Sequence, residues 1–473
     1  MPISKIVLLG CLMLKFSSGS GHSSETGKGD QTMPNVLFIV IDDLNDWNTL
    51  YDPVYPIQLP HMQELAERGA FFTRAYCSSS ACNPSRASVM TGTRPHKTGI
   101  YGNKSDWRMA LPHAETIQQF FKRQGYYVGG AGKIFHHHQN WAYHDNASFD
   151  EYLMMKINEP YPPQKLNGLD DYGSRNTDWG PWPEDITQTA DYKTSQYAID
   201  FLKMNHHKPF FLNVGIYKPH SPFFVPREYF DRYPLADLEM LDLNSEDWDD
   251  LPEGASNLMT KTNWFWKGMV KAMASDTLVY REFIQAYQAC SAFADAMIGR
   301  VLKALDDSPY RDNTIIVLWS DHGFHLGEKD HIEKFALWEK ATHVPFIIVA
   351  PGQISPGTVI EEPVDLTTIY PTLVELCGLK KPGLDGMSVL PLLKGEVDSL
   401  PPALTTYMKG NHAIRTERWR YIQYADGSEE LYDHSSDPHE WNNLAEKREY
   451  AGIIEKLKIY IPSSNADQVD DLK

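Results

Sequence analysis

A cysteine, a proline and an arginine lie close together in the stretch SACNPSRASVMTG, residues 80–92. Pro84 suits the first turn of a helix, so Cys82 would lie just before a helix N-terminus, where free N–H groups and the helix dipole favour anions. Arg86 would lie one turn further, where its guanidinium can bridge a nucleophile and a tetrahedral anion. This arrangement fits attack on a sulfate or phosphate ester. For the Cys-x-Pro spacing alone, a helix cap beside a buried cysteine is the stronger interpretation.

Charged and imidazole side chains follow four separate apolar runs. They are Asp42 and Asp43 after NVLFIVI, Lys133 and His136 after YYVGGAG, His220 after PFFLNVGIY, and Asp321 and His322 after TIIVLWS. In open α/β sheets, ligands bind beyond the carboxyl ends of the strands, so we expect these groups to form one polar cluster. Lys334 is available to the same rim.

The carboxylates in this set predict a cation site. Asp42 and Asp43 are adjacent and repel each other unless a cation lies between them. With Asp321 they offer three carboxylates, which suit a hard divalent ion such as calcium or magnesium, and His322 is a further, softer ligand. A solvated turn or a helix cap is the alternative for the Asp-Asp pair taken alone.

Strand and helix patterns alternate from residue 35 to about 380. Strands are predicted at 35–41, 209–216, 314–320 and 345–352, and helices at 60–69, 115–125, 194–205, 281–307 and 364–379, the last kinked at Pro371. The alternation predicts an α/β fold with a mostly parallel sheet between two layers of helices. The stretches 140–190 and 221–278 have little periodicity and are predicted to be surface insertions that form substrate-binding walls.

The last part of the chain changes character. ALTTYM, HAIRTE and WRYIQY are short strand-like runs, and EYAGIIEKLKIYI is a final helix. This pattern predicts a smaller α+β subdomain with an antiparallel sheet. The predicted domains are a leader and spacer over 1–33, a catalytic α/β domain over 34–380 and the subdomain over 381–473.

Composition narrows the possible functions. The chain has 473 residues and a formal net charge of -18, which argues against nucleic-acid binding because that function needs a basic footprint. A locally positive pocket can still hold an anionic small ligand.

The N-terminus has the pattern of an export signal. One lysine precedes the apolar run 6–16, which is too short to span a bilayer, and a Ser/Gly-rich spacer follows. Secretion or a periplasmic location is therefore expected, with no transmembrane span, and a frayed cytosolic N-terminus is the alternative. Cys11 in LLGC is a candidate for a lipid anchor.

The stretch CNPSRASVMTG resembles the C-x-P-S-R…T-G signature of the type I, formylglycine-dependent sulfatases. The resemblance continues through NVLFIVIDDL, GKIFH, YKPHSPF, SDHGFHLGEKDHIEKF and ATHVPFIIVAPG, in the family's order, over roughly residues 34–445. GKIFH, KPHSPF and the histidine at 322 are most similar to iduronate-2-sulfatases.

The resemblance implies an alkaline-phosphatase-like fold and a set of residue roles. A dedicated maturation enzyme would oxidise Cys82 to Cα-formylglycine, and one calcium ion would be held by Asp42, Asp43, Asp321, His322 and the residue at 82. The other implied catalytic residues are Arg86 and Lys133, which orient and activate the formylglycine diol, His136, hydrogen-bonded to it, and Lys334 and His220 on the leaving-group side.

The resemblance also implies a substrate. It is a sulfated oligosaccharide, in which a 2-O-sulfated uronate is the expected sugar. Two alternatives are a phosphodiester or phosphonate ester hydrolase of the same superfamily and a non-catalytic protein that binds sulfated glycans.

Some side chains near the motifs have weaker assignments. Arg108 and its neighbour Trp107 are candidates for contact with a substrate carboxylate, against a surface salt bridge for Arg108. His137 and His138 are interpreted as loop residues at the mouth of the site, and the role of His325 is open.

Overall fold

The computed structural model describes residues 33–136, 144–153, 160–169, 172–260, 262–380 and 382–471. In chain order the strands are β1 (Asn35–Asp42), β2 (Ala70–Phe72), β3 (Ala75–Tyr76), β4 (Tyr127–Gly132), β5 (Glu151–Leu153), β6 (Trp179–Pro181), β7 (Phe210–Pro219), β8 (Phe223–Val225), β9 (Thr314–Ser320), β10 (His325–Leu326), β11 (Ile332–Glu333), β12 (Phe346–Val349), β13 (Thr358–Ile360), β14 (Val364–Asp365), β15 (Ala403–Thr406), β16 (His412–Arg415), β17 (Trp419–Gln423) and β18 (Glu429–Asp433).

The helices alternate with these strands. They are α1 (Pro60–Glu67), α2 (Cys82–Thr91), α3 (Pro95–Thr98), α4 (Trp107–Ala110), α5 (Ile117–Arg123), α6 (Ala190–Lys203), α7 (Arg227–Phe230), α8 (Glu253–Met259), α9 (Trp264–Met273), α10 (Val279–Asp306), α11 (Glu339–Thr342), α12 (Ile369–Leu376), α13 (Leu390–Leu393) and α14 (Ala451–Lys458). No helix of the described ranges is long and apolar enough to cross a membrane.

One large sheet organises the first part of the chain. Among the described residues its strand order is β13-β2-β12-β9-β1-β7-β4-β5. The strands from β9 to β5 run parallel to their neighbours, whereas β12 pairs antiparallel with both β9 and β2. The mixed, mostly parallel sheet expected from the sequence is confirmed.

The central strand β1 is apolar throughout because both of its faces are covered. Leu37, Ile39 and Ile41 pack in a core with α1, α6 and α10, and the alternate residues pack in a second core with α2, α5 and α12. A strand buried on both faces has no reason to alternate polar and apolar residues. Its polar residues are therefore concentrated at its end.

The predicted kink at Pro371 is wrong. The helix predicted over 364–379 is a short 3-10 turn at Leu366–Thr368 followed by α12, which begins at Ile369. Pro371 thus lies in the first turn of α12, where a missing backbone N–H breaks no helical hydrogen bond.

The strands β15, β16, β17 and β18 form the predicted antiparallel sheet in that order. One of its faces packs Ile422 and Tyr432 against Leu337 and Trp338, and the opposite face packs against α14. Met33–Lys473 together form one compact unit. The domain boundary placed at residue 380 stays a prediction.

A buried ion network fastens this sheet to the rest of the fold. The Glu339 carboxylate of α11 accepts hydrogen bonds from Arg415 Nε (3.1 Å), from Arg420 Nη2 and from the Tyr76 hydroxyl (2.9 Å). Glu440 pairs with Arg420 at 2.6 Å and accepts the backbone N–H of Glu339 at 2.9 Å. Burial raises the pKa of Glu339, but Arg415 and Arg420 outweigh it and hold the pKa well below its usual range.

Substitution Glu339→Gln is expected to lower the free energy of unfolding by about 3–5 kcal/mol, since it removes the buried carboxylate charge that faces Arg415 and leaves Arg420 paired with Glu440 alone. Because the folded-state pKa is depressed, this contribution is present above the unfolded-state pKa of about 4.3 and is lost as the pH falls below it. Urea unfolding at neutral pH measures it. The control Glu455→Gln removes an exposed carboxylate 3.6 Å from Lys458 and should change stability by less than about 1 kcal/mol. Equal effects of the two substitutions would contradict the role given to the network.

Candidate active site

The ends of four neighbouring strands meet at one edge of the sheet. β9, β1, β7 and β4 are adjacent and parallel, so their carboxyl ends lie side by side. The groups at or just beyond these ends are Asp42, Asp43, Lys133, His136, His220, Asp321 and His322. The structure brings these sequence-predicted residues together.

Helix α2 delivers the cysteine to this edge. Cys82 is the first residue of α2 and not the residue before it, and Ala81 is the N-cap. Pro84 occupies the first turn, as expected, and Gly92 ends the helix in the left-handed conformation with φ 66°. The Ser85 hydroxyl donates to the Asp321 carbonyl at 2.6 Å. The helix N-terminus is thereby tied directly to the end of β9.

Arg86 is fully buried and holds the carboxylates in place. Its Nε donates to Asp321 at 2.8 Å and its Nη2 donates to Asp42 at 3.1 Å. Its Nη1 donates to the backbone carbonyls of Lys133 and Ile134. Arg86 therefore joins the ends of β1, β4 and β9. Most of its N–H donors are used in hydrogen bonds within the protein.

Two buried lysines complete the positive side of the cluster. Lys133 Nζ donates to Asp42, and Lys334 Nζ lies 2.9 Å from both carboxylate oxygens of Asp43. Lys334 is flanked by Glu333 and Phe335, whose φ values are 101° and 70°. Such left-handed backbone at residues other than glycine is costly and is found where the surroundings enforce a functional position.

Cys82 lies among groups that favour its anion. His322 Nε2 is 3.2 Å from Sγ, and His136 is hydrogen-bonded to Cys82. Burial raises the pKa of the thiol, but Lys133, Lys334 and His322 outweigh burial and bring the pKa well below its usual range. The groups around position 82 therefore stabilise negative charge there, as a sulfate-transfer site requires.

The donor set fits a hard divalent cation. Atoms of Asp42, Cys82, Asp321 and His322 all lie within 4.8 Å of one another, and Asp43 Oδ1 is 3.4 Å from His322 Nε2. Burial raises the pKa of Asp321 to about 7. Burial lowers the pKa of His322, but Asp321, Cys82 and Asp43 outweigh it and raise it to about 9. These groups therefore stabilise the proton on His322, and a divalent ion bound here would take the place of that proton.

His220 lies on the turn that follows β7. Its Nδ1 is 2.6 Å from the carbonyl oxygen of Ser221, so Nδ1 must carry the hydrogen and donate. One ligand atom each of His220, Asp43 and Cys82 lie within 4.8 Å of one another. The nitrogen left to exchange a proton with a ligand is Nε2.

Asn103 is a site residue that the sequence analysis missed. Its Oδ1 accepts the backbone N–H of Asn83 at 3.0 Å, which directs Nδ2 toward Cys82 Sγ, 4.0 Å away. Asn83 Nδ2 in turn donates to the carbonyls of Gly102 (2.9 Å) and Ser105 (2.8 Å). A single asparagine in a polar loop carries no sequence signal; only the fold places it over the helix N-terminus.

The structure gives Trp107 and Arg108 other partners than a substrate. Trp107 is 1% exposed and stacks on Phe135 with ring centroids 5.0 Å apart. Arg108 forms a bidentate pair with Asp145, with its Nη2 at 2.6 Å and its Nε at 3.2 Å from the carboxylate. The salt bridge weighed as the alternative for Arg108 is therefore present.

Substitution Arg108→Met is expected to lower the free energy of unfolding by about 1 kcal/mol, because the pair with Asp145 is partly exposed. The kcat/KM for a sulfate ester should change by less than about twofold. Denaturant unfolding and steady-state kinetics on one preparation test both statements. A large rise in KM without loss of stability would instead support the substrate contact predicted for Arg108.

The remaining histidines are placed as follows. His325 is 1% exposed, and its Nδ1 lies 3.1 Å from the Glu328 carbonyl, so its ring is part of the buried support of the loop that carries Lys334. His137 and His138 lie outside the described residues, as does Cys11.

Comparison with known proteins identifies the family. The family model described as Sulfatase matches residues 34–379, and the one described as N-sulphoglucosamine sulphohydrolase, C-terminal, matches residues 327–467. The chain belongs to the sulfatase family, whose members are sulfuric ester hydrolases.

Individual relatives agree with this assignment. A protein named sulfatase from Formosa agariphila is 38% identical, over 97% of this chain and 92% of its own length. Human iduronate 2-sulfatase is 30% identical, over 74% of this chain and 70% of its own length.

Solved structures share the fold. A 2-O GAG sulfatase has a TM-score of 0.69 at 22% identity, over 90% of each chain. The phosphonate monoester hydrolase of Silicibacter pomeroyi has a TM-score of 0.74 at 22% identity, over 90% of this chain and 94% of its own. At such identities the likeness shows the fold alone, which is the alkaline-phosphatase-like α/β fold.

Proposed function

We propose that this chain hydrolyses the sulfate ester of a sulfated sugar and that its substrate is an oligosaccharide with a 2-O-sulfated uronate. The observation that carries the proposal is the position of Cys82 at the first residue of α2, with His322 Nε2 3.2 Å from Sγ. The relatives named iduronate 2-sulfatase support the choice of sugar.

The nucleophile is Cα-formylglycine made from Cys82 by a dedicated maturation enzyme. Its hydrated form supplies the hydroxyl that attacks sulfur. Cys82 is fully buried between α2 and the strand ends, so conversion before folding is complete is the simplest route. Lys133 and His136 would orient and deprotonate groups at position 82. In support, His136 is hydrogen-bonded to Cys82 and the charge of Lys133 lowers the pKa of the Cys82 thiol.

One calcium ion would be held by Asp42, Asp43, Asp321, His322 and the residue at 82. When bound, the ion supplies Lewis-acid stabilisation of sulfate oxygens. Arg86 keeps two of these carboxylates in register through its bonds to Asp42 and Asp321.

The remaining groups act on the sulfate and on the departing sugar. Lys334, which lies against Asp43, offers positive charge to the sulfate on its leaving-group side. His220 donates the proton of Nε2 to the sugar oxygen as the S–O bond breaks, because the Nδ1 proton is committed to Ser221. His136 later removes a proton from the second hydroxyl at position 82. As that oxygen becomes the carbonyl of the restored aldehyde, the C–O bond to the sulfate group breaks and sulfate is released.

The test uses protein made in its native host or together with a maturation enzyme. The tryptic peptide that contains Cys82 should be lighter by about 18 mass units than the unmodified peptide. The matured protein should release sulfate from 2-O-sulfated uronate oligosaccharides faster than from isomers sulfated elsewhere. Matured protein that releases no sulfate from any sugar would overturn the proposal.

A phosphonate or phosphodiester hydrolase is the second candidate, because the phosphonate monoester hydrolase has the same fold. Matched aryl sulfate and aryl phosphonate esters distinguish the two functions by their kcat/KM ratio. A sulfated-glycan binding protein, the third candidate, predicts glycan binding without sulfate release from matured protein.

Export is part of the proposal. The segment 1–33 acts as a signal and spacer that sends the protein to the periplasm or outside the cell. N-terminal sequencing of protein recovered from those fractions should find the leader removed. A lipid on Cys11 would appear as a mass increase of the N-terminal peptide.

A further inference from the structure

The turn that carries His220 is fixed by Tyr217 and Lys218, near the end of β7. Lys218, which is fully buried, donates from Nζ to the Pro222 carbonyl at 2.7 Å. The Tyr217 hydroxyl donates to the Ser221 carbonyl at 3.0 Å. Tyr217 and Lys218 thus bind the carbonyls of Ser221 and Pro222, which follow His220 in the turn.

The backbone of Tyr217 and Lys218 is also held in place by hydrogen bonds. Asp191, on the first turn of α6, accepts the backbone N–H of Tyr217 at 2.7 Å and that of Lys218 at 2.9 Å. The Tyr217 ring lies under His220, with ring centroids 4.8 Å apart. Lys133 and Lys218 each place Nζ over the same ring, at 5.6 Å and 5.3 Å from its centroid.

These contacts determine which nitrogen of His220 meets the ligand. The Ser221 carbonyl accepts both the Tyr217 hydroxyl and His220 Nδ1. Because the hydroxyl fixes that carbonyl, it also fixes the ring orientation and keeps the hydrogen on Nδ1. Nε2 is then the ring nitrogen left to face a ligand, and one ring nitrogen of His220 lies within 4.8 Å of ligand atoms of Asp43 and Cys82.

We propose that Tyr217 and Lys218 are positioning residues that hold His220 for proton donation, so that they set the activity toward esters of poor leaving groups. The inference rests on the proposed sulfatase function. A sugar alcohol needs a proton as it departs, whereas a nitrophenol leaves as a stable anion. Loss of positioning should therefore affect sugar sulfates and spare activated aryl sulfates.

The test compares Tyr217→Phe and Lys218→Met with the unaltered protein, all matured at position 82. For a sulfated-sugar substrate, kcat/KM should fall about 10- to 100-fold, within the range of acid–base catalysis. For 4-nitrophenyl sulfate it should fall less than about threefold. Tyr217→Phe keeps the ring under His220 and removes only the hydroxyl.

Two controls separate positioning from general damage. Tyr310→Phe removes another tyrosine hydroxyl that donates to a carbonyl, that of Met204 at 2.8 Å, at the opposite edge of the sheet, and should show no leaving-group selectivity. His220→Asn should reproduce the selective loss, and adding Tyr217→Phe to it should lower the rate no further, because residues that act through one group are not additive.

Three outcomes decide the inference. Selective loss in both variants, absent on the His220→Asn background, supports it. Equal losses on both substrates, or losses that add to those of His220→Asn, overturn it while the sulfatase function stands. Matured, unaltered protein that hydrolyses neither ester overturns the proposed function and this inference together.

Discussion

Replacement of Cys82 by alanine is expected to lower kcat/KM for a sulfated sugar by about 10⁴-fold or more, because it removes the side chain from which the proposed nucleophile is made. The fold should persist. The side chain is small, and the substitution leaves in place the contacts of Ser85 and Arg86 that tie α2 to Asp321. Sulfate release measured by ion chromatography, with circular dichroism on the same sample, tests both parts.

The chain offers a matched control for this substitution. Cys290 is also fully buried, but it lies in α10 within the core formed by β1, α1 and α6. Cys290→Ala removes the same atom and should keep near-normal turnover. Near-normal sulfate release by Cys82→Ala, or an equal loss in Cys290→Ala, would contradict the assignment of the nucleophile.

The sequence predicted the parts of the site that depend on buried parallel strands. A run such as NVLFIVI is apolar at every position because both faces of β1 are covered. The first polar residue after such a run must therefore stand at the sheet edge. Since β9, β1, β7 and β4 are neighbours, four such ends converge, and the alternation of elements was enough to predict it.

Other parts of the fold could not be predicted because tertiary contacts determine them. β18 reads Glu-Glu-Leu-Tyr-Asp, a sequence with little strand propensity. It becomes a strand because Glu430 is buried and accepts hydrogen bonds from Trp338, Tyr424 and Tyr432. A buried carboxylate with three donors is a feature of the assembled fold and leaves no local pattern.

The same limit applies to Arg108 and Asn103. Arg108 looked available because its partner Asp145 lies 37 residues away, beyond any helical spacing. Asn103 contacts the site only because Asn83 binds the carbonyls of Gly102 and Ser105. Residue type and spacing predict the kind of reaction that the site can support. Contacts between residues far apart in sequence determine which polar side chains lie in the site.

Removal of divalent ions is expected to lower both the stability and the activity of the protein. Asp42, Asp43 and Asp321 are all fully buried. Arg86, Lys133 and Lys334 already pair with them, and a divalent ion bound among the three carboxylates would reduce their mutual repulsion further. Calcium that binds only the folded state adds about 2.7 kcal/mol to the free energy of unfolding when its free concentration is 100-fold above Kd. Denaturant unfolding with a chelator and then with excess calcium measures this gain, and magnesium in its place tests the choice of ion.

Asp321→Asn should abolish most of that gain because it removes one charged ligand and weakens the hold of Arg86, whose Nε lies 2.8 Å from Asp321. Asp365→Asn is the matched control, since Asp365 is also buried and arginine-paired, 2.7 Å from Arg94, but lies away from the cluster. It should keep the full response to calcium. An equal gain in Asp321→Asn and the unaltered protein would place the ion elsewhere. Calcium could also restore the stability of the chelator-treated protein through Asp321 without restoring sulfate release. That result would assign the ion a purely structural role.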